Sequence, residues 1–253
     1  MSNPAPAPSE LLDAVDIEQH LNEPLPMDLE LRSSDGATVR LGDVIGPKPT
    51  VLALVYYECP MLCTMVLNGL LRSINTIDDL DVGKDFDIVA VSIDPDEGPA
   101  LAAEKLGVYR SKYRREGSST GWHFLTGDQA AIDRLADAVG FRYVYDEESD
   151  QYAHGSSIMV VTPEGRLSKY LMGIDYDPRS LRLALVEASA GRIGTAVDRI
   201  ILYCFQYDPT SGTYSLAILR ILRTLAALMV IGLGAFMVSS HLKDRRRANA
   251  ASS

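Results

Sequence analysis

An α/β sandwich with an N-terminal hairpin and a C-terminal transmembrane helix is the fold class the sequence predicts. Two continuous apolar runs, Thr50–Tyr57 and Phe86–Ile93, lack polar alternation and so suit strands buried on both faces of a sheet. A helical stretch follows each of them, the connection that neighbouring parallel strands need. Near the C-terminus, Thr224–Ser240 carries no charge. That run falls within the roughly 17–25 residues of a membrane-spanning helix.

Size and charge bound the remaining possibilities. A chain of 253 residues can bury one substantial core. With 47% hydrophobic and 23% charged residues it has the composition of a globular protein, and wholesale disorder is excluded. The net charge of −10 is unevenly spread. After Leu216 the basic residues Arg220, Arg223, Lys243, Arg245, Arg246 and Arg247 face only Asp244, so the preceding body is more acidic than the whole. An acidic body repels phosphate backbones, which argues against nucleic acid as a partner. Three cysteines are too few for a disulfide-stapled scaffold.

The elements follow in order. Residues 1–28 read as an irregular lead-in, Pro-rich at its start and broken again by Pro24 and Pro26. Leu29–Leu41 alternates around Asp35-Gly36, a hairpin signature. Pro49 introduces the first buried strand, and a helix from about Pro60 to Ile77 has proline in its first turn. The second strand ends at Asp94-Pro95, and Pro99–Arg115 is helical. Trp122–Leu125 is a short strand, Gln129–Val139 a short helix after Asp128, and Phe141–Tyr145 extended. Ser157–Thr162 and Leu167–Leu171 form a hairpin around Pro163-Glu164-Gly165-Arg166, and Pro178–Ser189 is a terminal amphipathic helix. This order describes a thioredoxin-like sandwich over residues 29–195.

Beyond it, 196–215 is a juxtamembrane segment, 216–240 the transmembrane helix and 241–253 a basic tail. Arg220 and Arg223 in the first turns would snorkel toward headgroups. Basic residues stay cytoplasmic, so the globular domain is expected on the periplasmic, extracytoplasmic side of the inner membrane. Met1–Glu10 has neither a basic n-region nor an apolar h-region, so that placement implies a leader beyond these residues.

The chemistry concentrates at Cys59-Pro60-Met61-Leu62-Cys63, where a strand turns into a helix. If Pro60 opens the helix, the cysteines lie one turn apart at a Cα separation of about 6 Å, within disulfide range. The helix start favours thiolate, while the neighbouring Glu58 opposes it. Such a pair can cycle between dithiol and disulfide, or chelate a soft ion, Cu(I) first and zinc next. Two buried, inert cysteines are the plain alternative. Of four histidines, His20 lies in the lead-in, His241 beyond the apolar run and His123 at the start of a strand. His154 lies in a turn just before a strand, where Gly155 gives the backbone freedom to approach a nearby site. Taken alone, a histidine there is more often an ordinary surface or core residue than a ligand.

Together these residues resemble the Sco/SenC family of membrane-anchored, thioredoxin-like copper chaperones. The resemblance rests on an ordered set: Cys59 and Cys63 after a strand, Val91-Ser92-Ile93-Asp94-Pro95, Trp122-His123-Phe124-Leu125-Thr126-Gly127, and His154 with Gly155-Ser156-Ser157. It implies copper as cofactor, held by Cys59, Cys63 and His154. It also implies delivery of copper to, or reduction of the cysteines of, the dinuclear copper site in subunit II of cytochrome c oxidase. Met61 stands where the family often has an acidic residue, and Thr64 where a proline often follows. The C-terminal anchor, Asn68-Gly69-Leu70 and Tyr207-Asp208-Pro209 resemble a bacterial branch with this layout. Cys204 has no partner in the sequence and reads as a free juxtamembrane thiol. A copper-binding assembly factor without turnover is the leading expectation. A membrane-anchored thiol–disulfide oxidoreductase using Cys59 and Cys63 is the alternative, although its usual spacer is two residues rather than three.

Overall fold

The computed structural model describes residues 15–58, 62–115, 120–146 and 151–193, and Met229. The chain divides into two units, Met1–Gly194 and Thr195–Ser253, and the first holds every element described below. The predicted juxtamembrane segment 196–215, the span 216–240 and the tail 241–253 lie, Met229 apart, outside the described residues, as does Cys204. Among the described residues no helix is long and apolar enough to cross a membrane.

The first elements are a short hairpin. Strands β1 (Glu30–Ser33) and β2 (Thr38–Arg40) pair antiparallel around Asp35-Gly36. Gly36 sits at φ 87°, where other residues are strained, and Asp35 accepts from the Ala37 N–H at 3.0 Å. A four-residue helix, α1 (Leu41–Val44), follows at once and buries Leu41 and Val44.

Next come β3 (Thr50–Val55), α2 (Leu62–Ile74), β4 (Asp87–Ser92), α3 (Pro99–Lys112), β5 (Trp122–Thr126) and α4 (Gln129–Ala138). The closing elements are β6 (Tyr143–Asp146), β7 (Gln151–His154), β8 (Ser157–Val161), β9 (Leu167–Met172) and α5 (Pro178–Ser189).

Seven strands form one sheet in the order β2-β1-β5-β4-β3-β8-β9. The three central strands β5, β4 and β3 run parallel, while β8 runs antiparallel to β3. Every residue of β3 and β4 is buried, as covering on both faces demands. Close packing also explains a small residue inside α2: a Cβ at Gly69 would collide with the Ile174 carbonyl oxygen.

Three features add to or differ from the expected elements. The extended segment near Phe141–Tyr145 has a partner strand. It begins at Tyr143 and pairs with Gln151–His154 as a separate two-stranded ribbon, β6-β7. The helix after the cysteine segment ends at Ile74 rather than Ile77. The short α1 was not expected at all; three or four residues carry too little periodicity to read.

The lead-in, irregular over residues 15–28, is tied down by backbone pairing. Leu25 N–H donates to Gly165 O at 2.8 Å and Asn22 N–H to Leu167 O at 2.9 Å. Ile17 bridges to Phe141 and is buried.

Candidate metal centre

The sheet's topology decides which loops can share a site. In the parallel pair β3–β4 the register ends at Val55↔Ser92, so the segments after both strands leave from the same edge. Strand β8 is antiparallel to β3, with Thr50↔Val161 and Leu52↔Met159 in register. It therefore begins where β3 ends. Three chain segments converge on that edge: Tyr56 to Glu58, Ile93 to Gly98, and the end of β7 leading into β8.

The segment that leads to Cys59 is held by buried side chains. Tyr57 is buried, and its hydroxyl lies 2.9 Å from Ala90 O and 2.8 Å from Leu125 O, bridging β4 and β5. Its ring stacks on Phe124 at 5.5 Å. Beyond Val55 the strand ladder is finished, yet the next N–H groups are not orphaned. Tyr57 N–H donates to Glu97 Oε2 and Glu58 N–H to Glu97 Oε1, both at 2.7 Å. Ser92 Oγ donates to Glu97 Oε2 at 2.5 Å. Burial pushes the Glu97 carboxyl up from the usual carboxylate range, while the bonds from Ser92, Tyr57 and Glu58 pull the other way.

Of the predicted ligands, Cys59 lies outside the described residues, as do Pro60 and Met61 after it. Cys63 is the second residue of α2.

His154 is the last residue of β7, not a residue of a free turn. Its ring makes an edge contact with Tyr56 at 6.1 Å between centroids and lies 5.6 Å from the Phe141 ring. The fold thus brings a histidine beside a residue three positions before Cys59, although 95 positions separate His154 from that cysteine. His154 Nδ1 lies 2.7 Å from Gly155 O. A carbonyl can only accept, so Nδ1 carries the hydrogen and Nε2 the lone pair of the neutral ring. Burial lowers the His154 pKa, opposed by the Gly155 bond. A neutral imidazole with one nitrogen oriented by a backbone carbonyl is the form in which histidine ligates metals.

Gly155 plays a different part from the one expected. It needs no left-handed backbone; instead a Cβ there would press into Ile17 at 2.8 Å. Ile17 in turn bridges Phe141, whose ring packs on His154. The lead-in therefore helps to hold the histidine in place.

The other described histidines are elsewhere. His123 is in β5, in register with Val89, and its pKa is lowered first by burial, with Asp87 opposing and Arg110 and Lys48 adding to the fall. His20 has its Nδ1 3.1 Å from Ala138 O.

Sequence reasoning passed over Glu97 and the aromatic ribbon. The signal for Glu97 was an acidic residue just after Ser92-Ile93-Asp94-Pro95, at an edge already marked by the cysteines. The ribbon contributes Tyr152, whose ring meets Tyr56 at 5.6 Å and Tyr145 at 5.1 Å. Tyr56, which Tyr152 meets, is the ring that also touches His154.

A family model described as SCO1/SenC matches residues 18–187, well over half of the chain. A solved structure from Aquifex aeolicus VF5 is 24% identical, with TM-score 0.59, covering 68% of this chain and 95% of that one. Arabidopsis thaliana ScoI, solved with copper bound, is 22% identical with TM-score 0.53, covering 64% and 96%. BsSco, described as a member of the Sco family of cytochrome c oxidase assembly proteins and as having a disulfide switch, is 24% identical with TM-score 0.50, covering 70% and 98%. At these identities the structural matches establish the thioredoxin-like fold. Among curated proteins no relative matches the chain.

Proposed function

The chain belongs to the SCO1/SenC family, and from that premise we propose that it binds copper as cargo through Cys59, Cys63 and His154 and loads the copper site of a respiratory oxidase, subunit II being the recipient. One observation carries the reading: the ring of His154 rests against Tyr56 at the end of β3, three residues before Cys59. Two thiolates and one imidazole suit Cu(I), and the imidazole extends the set to Cu(II). The copper-bound plant relative and the oxidase-assembly relative give the same direction.

Cys63's place in the first turn of α2 also favours a second reading, thiol–disulfide exchange. There one cysteine thiolate attacks a client disulfide and forms a mixed disulfide. The other cysteine then resolves it, leaving two client thiols and a Cys59–Cys63 disulfide. No electrons are gained or lost beyond the two that pass to the client.

Copper and a disulfide substrate separate the readings. The reduced chain should take up one copper and the oxidised chain none, because a disulfide offers no thiolate. Rapid turnover of a generic disulfide substrate by a reduced chain that holds no copper would instead establish the oxidoreductase.

Membrane attachment through residues 216–240, with the globular unit outside and the basic tail inside, belongs to the same proposal. Its support is the uncharged run Thr224–Ser240 and the basic residues after it. A reporter fused after Ser253 should be active in the cytoplasm, and protease added to intact spheroplasts should degrade residues 1–215. Protection of those residues would reverse the orientation.

A further inference from the structure

The geometry points to Glu97 as a positioning residue for Cys59, a carboxylate clamp that fixes the backbone entering the copper site; this rests on the copper reading above. The need for a clamp is visible in the strand ladder. The β3–β4 pairing stops at Val55↔Ser92, and the last backbone bond across it runs from Ile93 N–H to Val55 O at 2.8 Å. From there the chain leaves the ladder, and the N–H groups of the buried Tyr57 and of Glu58 need acceptors.

Glu97 supplies both. Its two oxygens each accept one N–H, from Tyr57 and from Glu58, at 2.7 Å. The second oxygen also accepts the Ser92 hydroxyl at 2.5 Å. Three donors converging on one carboxylate that is 7% exposed make a built receptor rather than a chance surface contact.

The clamp also ties two segments together. Ser92 ends β4, and Glu97 directly precedes Gly98, the residue that caps α3. Glu97 N–H donates to Asp94 O at 3.3 Å, which closes the turn between them. Tyr57 is held from the other side through its hydroxyl and the Phe124 stack. Residue 58 is therefore anchored to the sheet, and the next residue is the first thiolate. Glu97 is not among the residues proposed to hold the metal; its part is to fix the backbone that leads into Cys59. The consequence falls mainly on Cu(II), whose preferred geometry is narrower than that of Cu(I).

Glu97→Gln is the informative variant, because it keeps the shape but puts an amide N–H₂ against a backbone N–H. Glu97→Asp keeps two acceptor oxygens on a shorter stem and serves as the rescue. Near-ultraviolet circular dichroism identifies any variant that does not fold; should Glu97→Gln be one, Ser92→Ala, which removes one donor and keeps the carboxylate, takes its place. Two readouts are taken on the full reduced chain. Without metal, amide exchange at Tyr57 and Glu58 should quicken at least about tenfold in Glu97→Gln, while β4 amides hold. With Cu(II), affinity should fall roughly 10–100-fold and the sulfur-to-copper absorption should shift, as happens when an outer partner of a metal ligand is lost. Glu97→Asp should recover a part of both. Unchanged exchange, or quicker exchange with wild-type Cu(II) affinity and spectrum, overturns the positioning role. A wild-type chain that takes up no copper overturns the copper reading itself, and the role for Glu97 with it.

Discussion

The reduced chain carrying Cys59→Ser or Cys63→Ser should lose copper affinity by on the order of a thousandfold, about 4 kcal/mol at 1.4 kcal/mol per tenfold. A hydroxyl is a hard, neutral donor at neutral pH, whereas Cu(I) selects soft anionic sulfur. The two single variants should be about equally damaging, because either leaves one thiolate and one imidazole. The double variant should hold no copper in a competition against a soft chelator. The fold should persist in all three, since every residue of the central strands β3 and β4 is buried and a sulfur-to-oxygen exchange hardly changes side-chain size. Copper titration with a chromophoric competitor, alongside a thermal melt, measures both. Wild-type affinity in either single variant would remove that cysteine from the ligand set.

The second large effect is expected at His154. His154→Ala should weaken Cu(II) by at least about tenfold to a hundredfold and abolish its sulfur-to-copper band, while Cu(I) weakens less because two thiolates can hold it. The residue is not a dispensable loop position, since its ring packs on Tyr56 and Phe141. Truncation there removes packing as well as a nitrogen, with a stability cost of about 1–2 kcal/mol. His154→Phe separates the two, because it retains the aromatic contacts without a donor. It should melt near the wild type and still fail to bind Cu(II). His123→Ala is the control. That histidine stands in register with Val89, and the charges that shift its pKa are Asp87, Arg110 and Lys48, none of them part of the segments converging on the cysteine edge. A wild-type Cu(II) spectrum in both His154 variants would assign the third ligand elsewhere.

The parts of this molecule that were legible in its sequence are those with local causes. Thr50–Tyr57 and Phe86–Ile93 announce central strands because a strand covered on both faces has no polar side to show. Asp35-Gly36 and Gly165 mark turns because the backbone there enters the left-handed region, at φ 87° and 76° for the glycines. The proline-led helices α3 and α5 were readable from their first residues.

What escaped depends on distant partners. The β6-β7 ribbon is only half-buried at most positions and pairs Tyr145 with Tyr152, so it has no apolar face to alternate. Gly155 is explained by Ile17, a residue of the lead-in, and not by its own dihedrals. Glu97 looks like any acidic residue before a helix until the ends of β3 and β4 are placed side by side. The cysteine pair and the family resemblance supplied the chemistry of the site. The register of β8 against β3 supplies the reason His154 can be near it.

X-ray absorption at the copper edge of the reduced chain loaded with one equivalent of Cu(I) tests the proposal most directly. Two sulfurs and one imidazole nitrogen around a single copper are expected, with the nitrogen lost in His154→Phe and the copper absent once Cys59 and Cys63 are oxidised to a disulfide. A reduced chain that takes up no copper, or one whose copper has no sulfur neighbours, would contradict it.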